Sequence, residues 1–379
     1  MRIAVVGAGM IGTAAARHLA ELGHKVALIG PPEPENKGQH RGVFASHYDE
    51  GRITRQLDAR PFWATVSQRS IARYRALEKA SGIAFFMECG SLIAGPSDGE
   101  FLRMIDVQRQ SDNVPCRRLV GPDLDGAFPY FSVPDGSAAF FEPKDAGFVN
   151  PRALVRAQLR SAANAGAEHV VATANGIHEA PSAIRIDTSE GTVEADHVIV
   201  AAGAYASDLL GDRLELTVHA RTIFFLRVEG EELERLSKMP TIILDYCDGT
   251  DIYALPPIRY PDGAHYIKIG GDPTDRPLSG SDDIGAWFRS GGDPMIAALL
   301  EEKLRGLMPG IQGAGSHHSA CVTTYTAENM PAIRRMSDRV TVAAAGCGRG
   351  AKCSDELGRL AALCATGVRE DPLLSALAA

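Results

Sequence analysis

The chain opens on "RIAVV" at residues 2–6, one arginine followed by an unbroken apolar run, the pattern of a strand buried on both faces. After a cluster of glycines, Ile11, Ala14, Ala15, His18, Leu19 and Leu22 recur at the spacing of one helical face. Gly23 supplies a helix stop, and "KVALI" reads as a second buried strand. Helical spacing dominates again from Ala64 to Lys79 and from Pro151 to Ala165. "GTVEADHVIV" reads as a strand, a turn and a return strand, and the run from Val198 continues through small residues into a helix start. Between residues 216 and 272 the pattern changes to alternation, in "LTVHARTIFFLRV", "TIILDY", "DIYALPPI" and "AHYIKIGG". The turn "RYPDGA" joins the last two as a hairpin. These patterns predict an α/β frame carrying a mostly β insert.

Composition narrows the class. With 379 residues and 45% apolar side chains, the chain can bury a large core, in two or three domains or in one with an insertion. A net charge of −8 argues against nucleic acid or an anionic membrane surface as a main partner. The seven cysteines are odd in number and form no C-x-x-C pair, and the His317–His318 doublet lacks the spacing of a metal site. No metal is expected. The apolar N-terminal run is broken by glycines, unlike a signal peptide, and no stretch reaches the roughly 18 apolar residues of a membrane span. The expectation is a cytoplasmic protein.

Chemistry first appears in "GAGMIG", which places Gly7, Gly9 and Gly12 between a strand and a helix. Such glycines allow a tight turn and a close approach of backbone to a pyrophosphate at the positive helix end. The acidic residue that normally ends the second strand and takes the ribose is missing, because Gly30 stands there. Glu33, Glu35 or water is left to do that work, so this motif alone leaves NAD, NADP and FAD open.

Further candidates are ambiguous on local grounds. Arg52 and Arg55 in "SHYDEGRITR" would share a face on a helical turn, and would read as a solvated basic face paired with Asp49 and Glu50. Lys268 in "HYIKIGG" reads as an outward strand lysine. Lys352, in the glycine-rich "AGCGRGAKCS", would be a first-turn lysine poorly placed against the helix dipole. Cys321 in "SACVTTYTAENM" reads as buried filler, sharing a strand face with Thr323 and Tyr325.

Four stretches together change those readings: "VVGAGMIG", "SHYDEGRITR", "IYALP" with "YIKIGG", and "CVTTYTAENMPAI" with "AAGCGRGAKCS". Through them the chain resembles, nearly end to end, the monomeric sarcosine oxidase and N-methyl amino acid oxidase group of the glycine/D-amino acid oxidase family. The resemblance implies FAD, and a Rossmann-like FAD-binding domain (1–80, 145–215 and 320–379). It also implies a substrate domain built on a mixed, mainly antiparallel sheet (81–144 and 216–319). It implies cofactor contacts from Gly7, Gly9, Met10, Ile11, Gly12, Ser46, His47, Arg52, Ile177, Ala202, Gly203, Gly348, Gly350 and Lys352. Arg55 and Lys352 would grip the substrate carboxylate, and Lys268, with Tyr253 lining the same pocket, would sit at the flavin edge and promote oxygen reduction. Cys321 would carry a thioether to the flavin 8α-methyl group, with a tightly held noncovalent FAD as the alternative.

The sequence departs from that group at Arg349 and Asp272, where histidines are usual, and at Thr323, where an aromatic residue is usual. An extra cation at Arg349 suits a second carboxylate, as in iminodiacetate. The implied activity is oxidation of a secondary amino acid by dioxygen, giving an imine and hydrogen peroxide. The alternatives are an FAD-dependent dehydrogenase serving a quinone or partner protein, and a flavin-binding protein without turnover. The expected partners are a small amino acid and dioxygen, on a monomer or weak dimer.

Overall fold

The computed structural model describes residues 1–368 and 370–378. The two apolar runs at the N-terminus lie side by side at the centre of a six-stranded sheet. Its order is Ala332–Arg335, Val340–Ala344, His197–Val200, Arg2–Val6, Lys25–Ile29 and Glu168–Val170. All pairings in it are parallel except that of Ala332–Arg335 with Val340–Ala344. Long helices cover one face and a three-stranded sheet (residues 174–195) with the short helix Ala206–Leu210 covers the other, which explains why its strands are apolar on both faces. Met10–Glu21 packs against Pro151–Asn164 and Gly350–Ala365. Gly358 permits that closeness, since a β-carbon there would come within 2.5 Å of the Ala14 side chain. The apolar stripe of the first helix stops earlier than its spacing suggests: Leu22 is the exposed C-cap residue.

"GTVEADHVIV" is not a hairpin. Gly191–Ala195 pairs with Ile184–Thr188 in a separate three-stranded sheet, whereas His197–Val200 enters the parallel sheet. The two segments differ in burial: His197–Val200 is buried at every position, and Gly191–Ala195 is mostly exposed. Asp196 makes the corner, bonding its side chain and backbone to Arg2.

The alternating segments form a nine-stranded mixed sheet. Its long strand, Thr217–Val228, pairs with His265–Gly270 on one side and Ser316–Tyr325 on the other. Thr241–Leu244 with Ser91–Pro96 is the parallel pairing, and the rest are antiparallel. The "RYPDGA" turn closes the hairpin of Ile252–Arg259 and His265–Gly270 as expected. Its register slips between Leu255 and Ile258, where Pro256 and Pro257 have no N–H to give the ladder. Helix Pro294–Leu307 packs beneath this sheet on the largest apolar cluster.

"SHYDEGRITR" corrects a second expectation. Arg52–Thr54 is a short strand paired antiparallel with Gly147–Val149, not a helical turn. Both arginines still reach the same cavity, which opens between the parallel sheet and the long strand of the mixed sheet.

Candidate active site

The cavity has a volume of about 830 Å³, large for a single small metabolite. One end is built by the glycine turn. Gly7, Gly9, Met10 and Ile11 line it. Gly7 holds φ +115°, and a β-carbon there would overlap the Ala201 carbonyl oxygen. Gly9 opens onto free space, its nearest neighbour being His47 Nδ1 at 4.0 Å from where a β-carbon would stand. Gly12 is not part of the lining. A β-carbon there would overlap the Gly7 carbonyl oxygen, so this glycine lets the helix start against the turn. The helix above has neither a side-chain cap nor an acidic residue in its first turn, leaving N–H groups and a positive end for an anion. This cradle fits the pyrophosphate of a dinucleotide. Gly12→Ala is expected to fold but to lose FAD, with the flavin-to-protein absorbance ratio falling roughly tenfold. An unchanged ratio would show that the turn can shift.

Gly30 explains the missing acid. A β-carbon at that position would sit 2.6 Å from the Ala8 nitrogen and β-carbon. Neither acidic alternative lines the cavity: Glu33 is held by Arg152 through two contacts of 2.6 Å and by Lys37 at 3.3 Å, and Glu35 is exposed. Ser46, His47, Ala202 and Gly203 line the cavity as expected. Ile177 does not. It belongs to the strand Ala174–Glu179 and packs on the core beneath the parallel sheet, leaving Ala172 to Asn175 at the wall.

Two buried carboxylates organise the cations. Asp49 accepts from Lys268 Nζ at 2.6 Å and from the Tyr260 hydroxyl at 2.7 Å, and also pairs with Arg52. Lys268 is fully buried and gives a second bond to the Gly51 carbonyl at 2.7 Å. It is neither the outward lysine of the strand pattern nor part of the cavity wall, because its strand is covered on both faces. Burial, with the Arg52 charge added, pushes its ammonium well below the ordinary range. Arg52 does line the cavity, with Nη2 at 3.1 Å from the Ser46 carbonyl and 3.5 Å from Cys321 Sγ.

Asp58 is the second centre, and it gathers Lys352 at 2.9 Å, Arg349 at 3.0 Å and Arg55 at 3.6 Å. Burial acts to raise its pKa, but the charges of Lys352, Arg349 and Arg55 outweigh that and hold it far below the usual carboxylate range. Lys352 is therefore a buried, paired lysine rather than a surface one. Arg55 Nε is buried without a hydrogen-bond partner among the described residues. Behind it the buried Glu142 accepts from the backbone N–H groups of Gln56 and Leu57, fixing the loop that carries Arg55 to Asp58. Burial raises the Glu142 carboxyl to about 7, against those bonds and the Arg55 charge. Three cations against one committed carboxylate leave this end of the cavity positive.

The sequence profile described as FAD dependent oxidoreductase matches residues 2–363. The chain belongs to that family. A curated relative is N-methyl-L-tryptophan oxidase of Yersinia pestis, 24% identical over 364 residues that cover 95% of this chain and 93% of the relative. Among solved structures, the open form of NikD, an unusual amino acid oxidase essential for nikkomycin biosynthesis, superposes with a TM-score of 0.78. It is 21% identical and covers 99% of this chain and 96% of its own. Iminodiacetate oxidase from a Chelativorans species superposes with a TM-score of 0.73 at 20% identity, covering 98% and 97%.

In this FAD-dependent oxidoreductase, the end of the strand Ser316–Tyr325 lines the cavity at every position from Cys321 to Tyr325, Val322 and Thr324 included. Cys321 is half-buried at the wall beside a guanidinium, not filler within a core. Tyr253 also lines the cavity, and its ring occupies space that only a glycine at 270 leaves open. Gly348, Arg349, Gly350 and Lys352 close the wall at the start of helix Gly350–Ala365. Asp272 reaches the lining, but its carboxylate is spent on Thr222 and Thr274 backbone N–H groups and the Thr274 hydroxyl.

Sequence reasoning missed Asp58, Glu142 and Arg221, the last a further cation on the cavity wall. Asp58 gave one signal, its position three residues after Arg55. Glu142 and Arg221 lie on other strands, and local spacing carries no trace of their neighbours. Asp49 was expected in solvent beside both arginines, whereas it is buried and pairs with Arg52. Among the described residues no helix is long and apolar enough to cross a membrane.

Proposed function

We propose that this oxidoreductase oxidises secondary amino acids of the sarcosine or iminodiacetate kind, releasing an imine and hydrogen peroxide. The observation that carries the reading is the excess of positive charge from the buried Arg55 and Lys352 and the half-buried Arg349 over Asp58, at one end of a cavity whose other end fits a dinucleotide. FAD, when bound, supplies the two-electron oxidation of the carbon next to nitrogen and passes the electrons to dioxygen. The protein's part is positioning. Arg55 offers a planar fork to the substrate carboxylate and Lys352 a second charge, which together fix the amine-bearing carbon. The surrounding cations favour the neutral amine as the reacting form, since a second positive charge in the same site is repelled. Water then splits the released imine into an amine and an aldehyde or oxo acid. Arg52, at the wall beside Cys321, takes the role of the fixed positive charge that favours electron transfer to oxygen, with Lys268 behind it on the same Asp49 carboxylate.

We also assign Cys321 as the point of covalent attachment, because its sulfur stands at the cavity wall, 3.5 Å from the Arg52 guanidinium. A dehydrogenase serving a quinone or a partner protein is the second reading. It is favoured by one observation, the withdrawal of Lys268 from the cavity wall.

Acid precipitation of the yellow protein tests the attachment: colour should stay with the pellet, and release to the supernatant refutes the thioether. Peroxide should form from sarcosine, iminodiacetate or pipecolate and not from glycine. Reduction of the flavin by these amines without peroxide would decide for the dehydrogenase.

A further inference from the structure

Each cavity cation discussed above is paired with a carboxylate, and the carboxylates differ in one respect. The side chains of Asp49 and Asp58 are 7% and 1% exposed. Neither can give up its cations without leaving buried charge behind. Arg221 is different. It lines the cavity from the long strand Thr217–Val228, directly across the ladder from Cys321, and its side chain is only 15% exposed. Its charged partner Asp275, at 2.5 Å, is 66% exposed and sits on the surface segment between the strands His265–Gly270 and Pro277–Leu278. That carboxylate, itself exposed and shared with His219 Nδ1 at 3.1 Å, can return to water when another anion takes the guanidinium. Arg221 is thus a cavity cation able to change partner.

Its surroundings are those of an anion site. Thr323, diagonal to Arg221 on the same cavity face, has a buried hydroxyl with no hydrogen-bond partner among the described residues. Tyr325 lines the next inward position. Arg349, where sequence reasoning placed a second-carboxylate contact, is instead committed to Asp58 at 3.0 Å and to the Cys347 carbonyl at 3.2 Å.

We propose that Arg221, with the Thr323 hydroxyl, receives a second carboxylate of the substrate, displacing Asp275, so that the enzyme selects dicarboxylic secondary amines. This rests on the amino-acid oxidase reading given above. A monocarboxylic amine would leave Arg221 on Asp275 and gain nothing from the distal wall.

The test compares wild type, Arg221→Met and Asp275→Ala holoenzymes on matched amines: iminodiacetate and N-(2-carboxyethyl)glycine against sarcosine and N-ethylglycine. Wild type should favour the dicarboxylates in kcat/KM. Arg221→Met should cut that selectivity ratio about 10- to 100-fold, as for a buried charged contact losing one partner. Asp275→Ala, which removes the competitor, should raise the ratio about twofold to fivefold. Equal losses for both substrate classes in Arg221→Met, or a falling ratio in Asp275→Ala, would overturn the assignment. If no amine is turned over, the oxidase reading fails by itself, and titration of the flavin absorbance with malonate, glutarate and acetate still decides the site. Dicarboxylates must then bind wild type more tightly than acetate, with the preference lost in Arg221→Met. Equal affinities would overturn it.

Discussion

Replacing Arg55 with alanine is expected to lower kcat/KM for carboxylate-bearing amines by about 10²- to 10³-fold, the effect of truncating one partner of a buried charge pair. Among the three cations around Asp58, Arg55 holds the most unused donor capacity. Lys352 and Arg349 sit at 2.9 and 3.0 Å, whereas Arg55 touches the carboxylate only at 3.6 Å and its Nε bonds to nothing among the described residues. A planar guanidinium with open donors facing a cavity is suited to a second carboxylate brought in by the substrate. A loss by mere unfolding of the loop is separable. Glu142 and Ser67 hold the backbone at residues 55–57, so Arg55→Ala should keep its flavin content and absorbance spectrum. Arg55→Lys retains charge without the fork, and should fall between wild type and alanine. The decisive comparison uses an amine of the same shape with an amide in place of the carboxylate. Arg55→Ala should treat it much as wild type does, and an equal loss on the amide would exclude a carboxylate contact.

How far the sequence could carry this picture depended on whether the relevant physics was local. The turn at Gly7, Gly9 and Gly12 was legible because flanking strand and helix periods announce it, and the β-carbon overlaps at Gly7 and Gly12 give the reason those positions are glycine. Alternation predicted one face for Cys321, Thr323 and Tyr325 but could not show that Val322 and Thr324 also meet the cavity. Lys268 was not legible. Its strand lies inside a mixed sheet covered on both sides, and an alternating pattern cannot tell a solvated lysine from one buried on a carboxylate 219 residues away. For Arg52 and Arg55 the three-residue spacing was read as a solvated helical turn, where the chain is extended and both line the cavity; only the resemblance pointed to a pocket. Asp58 was marked only by its spacing from Arg55, because Lys352 and Arg349 reach it through the fold, and nothing in the neighbourhood of Arg221 marked that residue.

Asp58→Asn should be the most destabilising single change at this site. It leaves Arg55, Lys352 and Arg349 converging on a neutral amide, and breaking a buried pair in this way costs about 3–5 kcal/mol. The pH dependence separates this electrostatic cause from a lost hydrogen bond. Asp58 is held far below its ordinary pKa in the folded protein, so its stabilisation is present above the unfolded carboxylate range and fades as pH falls through the folded value. The stability gap between wild type and Asp58→Asn should therefore close in strong acid. At the alkaline end the cause is Lys352. Burial and the Arg55 charge already lower its pKa, and without Asp58 it falls further. The unfolded chain then binds more protons than the folded one, so the variant gains stability as pH rises toward the lysine's ordinary value of about 10.4, and the gap narrows again. Between these limits the gap should be flat. Added carboxylate gives an independent reading: acetate or a substrate-like acid should stabilise Asp58→Asn more than wild type, because it supplies the missing counter-charge. Urea midpoints measured across pH, with and without acetate, settle the matter. A gap that ignores both pH and acetate would mean that Asp58 holds the loop by geometry alone, and that the positive end of the cavity does not depend on it.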